Sequence, residues 1–186
     1  EVTEYMAARK PESKLSNLLA DILQWGGKSY HEKVDFAVYN MGGIRAAFAK
    51  GKVTYGDVVD VAPFENKICF LTLTGKKVRE LFAQIAATGG EAVSHGVNLV
   101  ISKDHKLMDC KLNGMPIDDN KSYRVATLDY LAQGNDKLEA FKSGTDVVSP
   151  QTQENNVRFI IMNYFREQKA QNKPVSREIE GRIVVK

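Results

Sequence analysis

Only two cysteines, Cys69 and Cys110, occur in 186 residues, so no disulfide framework holds this chain together. Both lie in apolar alternating runs, which places them as buried thiols and leaves the redox compartment open. The three histidines, His31, His95 and His105, form no H-x-H or H-E-x-x-H pattern and no close grouping with Asp, so no metal cage is expected. They read as solvated loop or turn residues. Neither cysteine belongs to a C-x-x-C, and G-x-S-x-G and P-loop patterns are missing. The residues alone contain no recognisable catalytic machinery.

No apolar run approaches the ~18 residues of a membrane helix, and the opening EVTEYMAARK holds no apolar signal core. The residues therefore predict neither a membrane span nor an export signal of their own. Charge of one sign is also lacking: 26 Lys plus Arg stand against 23 Asp plus Glu, a net +3 spread along the whole chain. That spread predicts no nucleic-acid polymer as partner and no membrane-binding patch. With 43% hydrophobic and 26% charged residues the composition is that of a folded domain. There is no repeat, low-complexity tract or linker, and the five prolines are scattered. We expect a single domain over residues 1–186.

What is present is a set of clear periodicities. Over Glu12–Trp25, Leu15, Leu18, Leu19, Ile22 and Leu23 share one helical face, and Gly26-Gly27 follows as its end. Asp35–Tyr39 reads as a buried strand, Thr54–Val61 as a short helical turn, Ile68–Thr74 as a strand and Gly75–Thr88 as a helix. Val97–Ser102, Leu107–Leu112 and Ser122–Leu128 read as three antiparallel neighbours, with Asn113-Gly114 and Pro116 between the last two. Glu154–Lys169 is helical and Ile179–Val185 a closing strand. The expected class is α+β.

Polar residues stand at the strand ends. Asn40-Met-Gly-Gly-Ile-Arg45 follows a strand directly; its glycines let a ligand approach the main chain, and Arg45 offers a fork for phosphate or carboxylate. Pro63-Phe-Glu-Asn66 places a ring and an amide two residues apart, on one side of an extended segment. In Leu128–Asp136 a strand ends at Tyr130, and a glycine-containing loop presents Asp136. An aromatic face accepts any flat base, and a carboxylate accepts both hydroxyls of a ribose. Each piece has a plainer reading: a turn with a solvated Arg, a core Phe beside a turn Asn, an edge Tyr with a turn Asp. Together they make the inventory of a nucleoside-sized pocket.

Five segments in order carry a family resemblance: Glu12–Asp21, Asn40–Arg45, Pro63–Asn66, Thr127–Asp136 and Glu180-Gly-Arg-Ile183. Over nearly its whole length the chain resembles the C-terminal, substrate-binding domain of the 5′-nucleotidase and UDP-sugar hydrolase family. The resemblance implies an α/β/β/α layered sandwich with mixed β-sheets. It implies that Phe64 and Tyr130 hold the base, Tyr130 standing where the family usually has Phe, and that Asp136 holds the ribose hydroxyls. Asn40, Arg45 and Asn66 match positions that contact base, sugar or phosphate, and Gly96 falls near a base-contacting loop. Arg9 is the candidate for a family arginine before the first helix, with Pro11 as the other occupant of that slot. Asn135 replaces a common glycine and is expected to tolerate positive φ there; Ser16 replaces another glycine and is expected to alter packing at the first helix.

The resemblance further implies a purine nucleotide or nucleoside as ligand. The two divalent metals belong to an N-terminal metallophosphoesterase domain, whose motifs these residues do not contain, so hydrolysis by this chain alone is not expected. That domain is expected in cis or as a separate chain, and the location is expected to be extracytoplasmic. The alternatives are a stand-alone, non-catalytic nucleoside-binding module, or a structural interaction domain whose pocket has decayed.

Overall fold

The computed structural model describes residues 1–186 in full. Its strands are β1 Phe36–Tyr39, β2 Ile68–Thr74, β3 Ala92–Val93, β4 Val97–Ile101, β5 Leu107–Leu112, β6 Met115–Pro116, β7 Ser122–Leu128, β8 Thr145–Val148 and β9 Ile183–Val185. The helices are α1 Lys14–Gly26, α2 Tyr55–Val61, α3 Gly75–Ala87, α4 Asp129–Ala132 and α5 Val157–Ala170. Five strands form one sheet in the order β3-β1-β7-β2-β8, and four form another in the order β6-β5-β4-β9. Both sheets are mixed, because β1 runs parallel to β7 and β4 runs parallel to β9 while the other pairings are antiparallel. The expected α+β class with two mixed sheets is present.

Period-two alternation on β2 divides the interior into two cores. Ile68 and Phe70 face α1 and α5 together with Leu18, Leu19, Ile22 and Ile161. Cys69, Leu71 and Leu73 face the opposite way, toward Phe82 of α3 and Leu99 and Ile101 of β4. Helix α3 touches strands of both sheets and closes the space between them. The two cysteines are free and lie in this second core. Burial pushes the Cys69 thiol up to about 11, so it is protonated and a poor nucleophile at neutral pH.

Helix α1 starts at Lys14 because Ser13 and Ser16 form a reciprocal cap: each side chain serves the other's backbone N–H. The expected glycine replacement at Ser16 therefore acts as a helix start, with its hydroxyl satisfied by Ser13. Helix α5 begins at Val157, three residues later than its periodicity suggested, because Gln153–Asn155 form a tighter 3-10 turn.

Two strand expectations are corrected. Asn113, φ 52°, and Gly114, φ 79°, do make a hairpin, but its second arm is only the two residues of β6. Ser122–Leu128 crosses to the other sheet, where β7 lies between β1 and β2 and is covered on both faces. Its sequence, Ser-Tyr-Arg-Val-Ala-Thr-Leu, begins with the polar alternation of a hairpin arm, and nothing local to it names the strands it pairs with. The final strand starts at Ile183 rather than Ile179. The N–H groups of Glu180, Gly181 and Arg182 instead donate to the Glu12 carboxylate at 2.9–3.1 Å.

Arg182 completes that junction. Its side chain is 3% exposed, donates to both Asp21 oxygens at 2.8 and 2.9 Å, and donates to the carbonyls of Asn17 and Val93. Arg177 adds a further 2.8 Å bond to Asp21. Burial by itself would raise the Asp21 carboxyl, but the Arg182 hydrogen bonds and charge, with smaller help from the His95 N–H and Arg177, hold it below the ordinary carboxylate range. A depressed folded value means that this contribution is complete at neutral pH and is lost as the pH falls below the unfolded carboxylate pKa through the folded one. Arg182→Ala leaves Asp21 short of its main partner and is expected to cost about 3–5 kcal/mol in urea unfolding at neutral pH. The variant is also expected to lose less stability on acidification than the parent.

Candidate functional site

Strand direction gathers the polar strand ends at one edge of the five-stranded sheet. Phe36 pairs with Val125 in parallel, so β1 and β7 both finish at this edge, at Asn40 and Asp129-Tyr130. Ile68 pairs with Leu128 in antiparallel fashion, so Asn66 and Lys67 enter β2 there as well. The Asp129 carboxylate fastens the corner by accepting the N–H groups of Lys67 and Tyr130 at 3.1 and 2.8 Å.

Asp136 is the centre of the arrangement. Its Oδ1 accepts the Tyr130 hydroxyl and its Oδ2 accepts the Asn40 side-chain amide, each at 2.8 Å. The Asp136 carboxylate, followed by partial burial, pushes the Tyr130 phenol above its ordinary pKa, so the hydroxyl is a donor at neutral pH. The loop reaches this position through left-handed residues: Gly134 at φ 88°, Asp136 at φ 56° and Lys137 at φ 65°. Asn135 is not one of them, contrary to the expectation from the glycine it replaces; its side-chain amide donates instead to the Tyr130 carbonyl at 2.7 Å.

Asn40 is 5% exposed, and its carbonyl oxygen Oδ1 has no partner in the protein. A buried amide acceptor left unpaired costs about 1–3 kcal/mol, which marks the position as one built for something other than stability. Gly43 makes room for this amide: a Cβ there would stand 2.9 Å from Oδ1 and 3.2 Å from Nδ2.

Phe64 is 45% exposed, and Arg45 lies over its ring with the guanidinium carbon 5.1 Å from the centroid. The loop carrying the ring is held by Arg158, which donates to the Pro63 carbonyl at 2.7 Å. Asn66 is half-buried and its carbonyl accepts the Val157 N–H at 2.9 Å, which ties this loop to the start of α5. On the far side of Asn40, the buried Glu91 carboxylate accepts the Met41 N–H at 2.7 Å and pairs with Lys10 at 3.4 Å. A cavity of about 600 Å³ opens there, lined by Lys10, Met41, Gly42, Glu91, Asp136 and Lys137 among others. Another cavity, of about 520 Å³, lies against α2 and α5 and contains none of the predicted site residues.

Asn40, Tyr130 and Asp136 are thus joined directly, and Arg45 and Phe64 are joined to each other. Asn66 stands two residues from Phe64 with no hydrogen bond to any of these five, and Gly96 and Arg9 lie apart from them. Gly96, φ 100°, lies toward the opposite end of β1, because β3 runs antiparallel to β1 and carries the chain away from Asn40; it packs against Asn113. Arg9 is exposed, and the neighbouring Lys10 is the cation that reaches the cavity wall. Pro11 packs against Gly90. Glu91, Asp129, Arg158 and Lys10 escaped the sequence reading because each acts on a backbone group or charge remote in the chain. Only Asp129 had a signal, its place inside the Thr127–Asp136 segment.

No three His, Cys, Asp or Glu residues are grouped so as to hold a metal ion. The carboxylate, amides, cations and rings at this edge suit hydrogen bonding and stacking.

The sequence model of the 5′-nucleotidase C-terminal domain matches residues 1–143. The chain belongs to this family. Protein UshA of Escherichia coli is 38% identical over 105 residues, which is 55% of this chain and 19% of that protein. The cell wall protein Lmo0130 of Listeria monocytogenes is 28% identical over 201 residues, covering 94% of this chain and 24% of the relative. Among solved structures, a 5′-nucleotidase precursor of Thermus thermophilus superposes with a TM-score of 0.83 at 26% identity, over 100% of this chain and 38% of that one. The chain therefore spans about a fifth to two fifths of these family members.

Gly43→Ala tests the geometry of the site. The added methyl group is expected to displace the Asn40 amide and break its bond to Asp136 while costing no more than about 1–3 kcal/mol of stability. The Asn40 side-chain NH₂ resonances should move in the amide NMR spectrum, with the rest of the core unchanged.

Proposed function

We propose that this chain is a nucleotide-recognition domain of a 5′-nucleotidase-type phosphoester hydrolase. In this reading Phe64 and Tyr130 stack on the base and Asp136 accepts the ribose hydroxyls. Asn40 and Asn66 hydrogen-bond the base or sugar, and Arg45 leaves the Phe64 ring to meet the phosphate. The observation that supports the reading most is the Asn40–Asp136–Tyr130 arrangement. It places a carboxylate, a buried amide with a spare acceptor and an exposed ring together where two parallel strands end. Ligand sites in open sheets favour such carboxyl ends.

The chemistry of hydrolysis requires groups that these residues do not supply. They offer no cluster that could carry a catalytic metal, so we assign the two divalent metals to a metallophosphoesterase domain, in the same polypeptide or in a separate one. This chain's part is to bind and orient the nucleotide for that domain. The cell wall description of one relative favours an extracytoplasmic location, and no helix is long and apolar enough to cross a membrane.

The test is titration of the 186-residue chain with adenosine and AMP, followed by amide NMR, with phosphate release measured in the same samples after adding divalent metal. Shifts should cluster at Phe64, Tyr130 and Asp136, and no phosphate should appear. Phe64→Ala and Tyr130→Ala should each weaken binding by about 1–3 kcal/mol, the value of one stacked base. Unchanged affinity in both variants, or no shifts at millimolar ligand, overturns the assignment.

A further inference from the structure

The groups assigned to the ligand are engaged with one another in the structure. One Asp136 oxygen carries the Tyr130 hydroxyl and the other carries the Asn40 amide, both at 2.8 Å. Each carboxylate oxygen therefore holds one internal donor. A vicinal diol presents the same pattern, two O–H donors on adjacent carbons, to the two oxygens of one carboxylate. The phenol bond is charge-assisted, the stronger kind of hydrogen bond. It is also exposed enough to exchange: Tyr130 is 38% exposed, and the bonds to the Asp129 and Asn135 side chains hold its backbone N–H and carbonyl, not its ring.

We propose that the Tyr130 hydroxyl is an internal competitor of the ligand's sugar, a specificity-determining group that occupies on Asp136 the place of one ribose hydroxyl until a nucleoside displaces it. This rests on the nucleotide-recognition reading above. Binding then exchanges the Tyr130 hydrogen bond for one from the sugar. A ligand with both ribose hydroxyls displaces the exposed Tyr130 hydroxyl, which turns to water, while the buried Asn40 amide keeps its bond and the second ribose hydroxyl takes a free lone pair of the same carboxylate. A sugar without hydroxyls leaves the internal bonds in place and gains stacking alone. The Tyr130 ring and its hydroxyl thus work in opposite directions: the ring attracts the base, and the hydroxyl lowers the net gain from the sugar.

Tyr130→Phe separates the two, because it keeps the ring and deletes only the competitor. The experiment measures the affinities of adenosine and 2′,3′-dideoxyadenosine for the parent chain and for Tyr130→Phe, by NMR titration under identical conditions. The expected result is that the ratio of the two affinities, adenosine over the dideoxy compound, rises about tenfold in the variant, the equivalent of one hydrogen bond to a charged group. Asp136→Asn in the Tyr130→Phe background should then return the ratio to near one, which a purely structural effect on the loop would not do. An unchanged ratio overturns the proposal by showing that the phenol is not displaced. A lower ratio overturns it too, by showing that the hydroxyl assists the sugar. If neither nucleoside produces shifts at Phe64 or Tyr130, the recognition reading itself fails and this inference falls with it. That outcome is distinct from binding with an unaltered ratio.

Discussion

The placement of β7 between a parallel and an antiparallel neighbour is the constraint on which the site depends. Its parallel pairing with β1 sends both carboxyl ends to one edge of the sheet, and its antiparallel pairing with β2 brings the start of β2 to the same edge. Asn40, Tyr130 and the Phe64 loop come from three stretches of the chain and meet only because of these directions. A register slip of one residue in β7 would also turn Val125 and Leu128 to the wrong cores. The same alternation that builds two hydrophobic layers therefore aims the polar ends.

The scaffold and the candidate site are separate pieces of polar engineering. Glu12, Asp21 and Arg182 form a buried junction in which every acceptor has a donor: the Glu12 carboxylate takes backbone N–H groups, and Arg182 fills Asp21 and two carbonyls. Buried charges persist only under such full pairing. At the sheet edge the accounting differs. Asn40 keeps an unpartnered oxygen, Asp136 and Lys137 adopt left-handed backbone, and Phe64 and Tyr130 present half-exposed rings. Left-handed residues and exposed rings occur elsewhere in the chain as well; at this edge they coincide with a buried, unpartnered amide oxygen. The five family segments divide along this line: Glu12–Asp21 and Glu180–Ile183 meet in the junction, and the three central segments build the edge.

Much of this was legible in the chain. Helices with an apolar stripe, such as α1, announce themselves because the stripe repeats with the local helical period. The strand-end punctuation at Asn40, Phe64 and Tyr130 was equally visible, since glycine, amide and aromatic residues directly after apolar runs have few roles in a core. The partner of β7 was not legible, because its neighbours β1 and β2 lie far back in the chain while the Asn113-Gly114 turn signal stands just before it. Nor was the late start of β9, because the competing acceptor, Glu12, lies at the other end of the chain. Gly96 looked like a site residue by its neighbourhood in sequence, and the antiparallel return of β3 carried it to the opposite end of β1.

By itself the sequence determined the α+β class, the order of helices and strands, and the residue types available for stacking and hydrogen bonding, since these follow from local periodicity and side-chain chemistry. Only the tertiary structure decided that Asp136 is shared by Tyr130 and Asn40, that Arg45 covers Phe64, and that Glu91 and Arg158 hold the flanking loops. These are contacts between residues up to about a hundred positions apart, and they are chosen by strand direction and by which donors and acceptors the fold brings within reach. No local pattern encodes either.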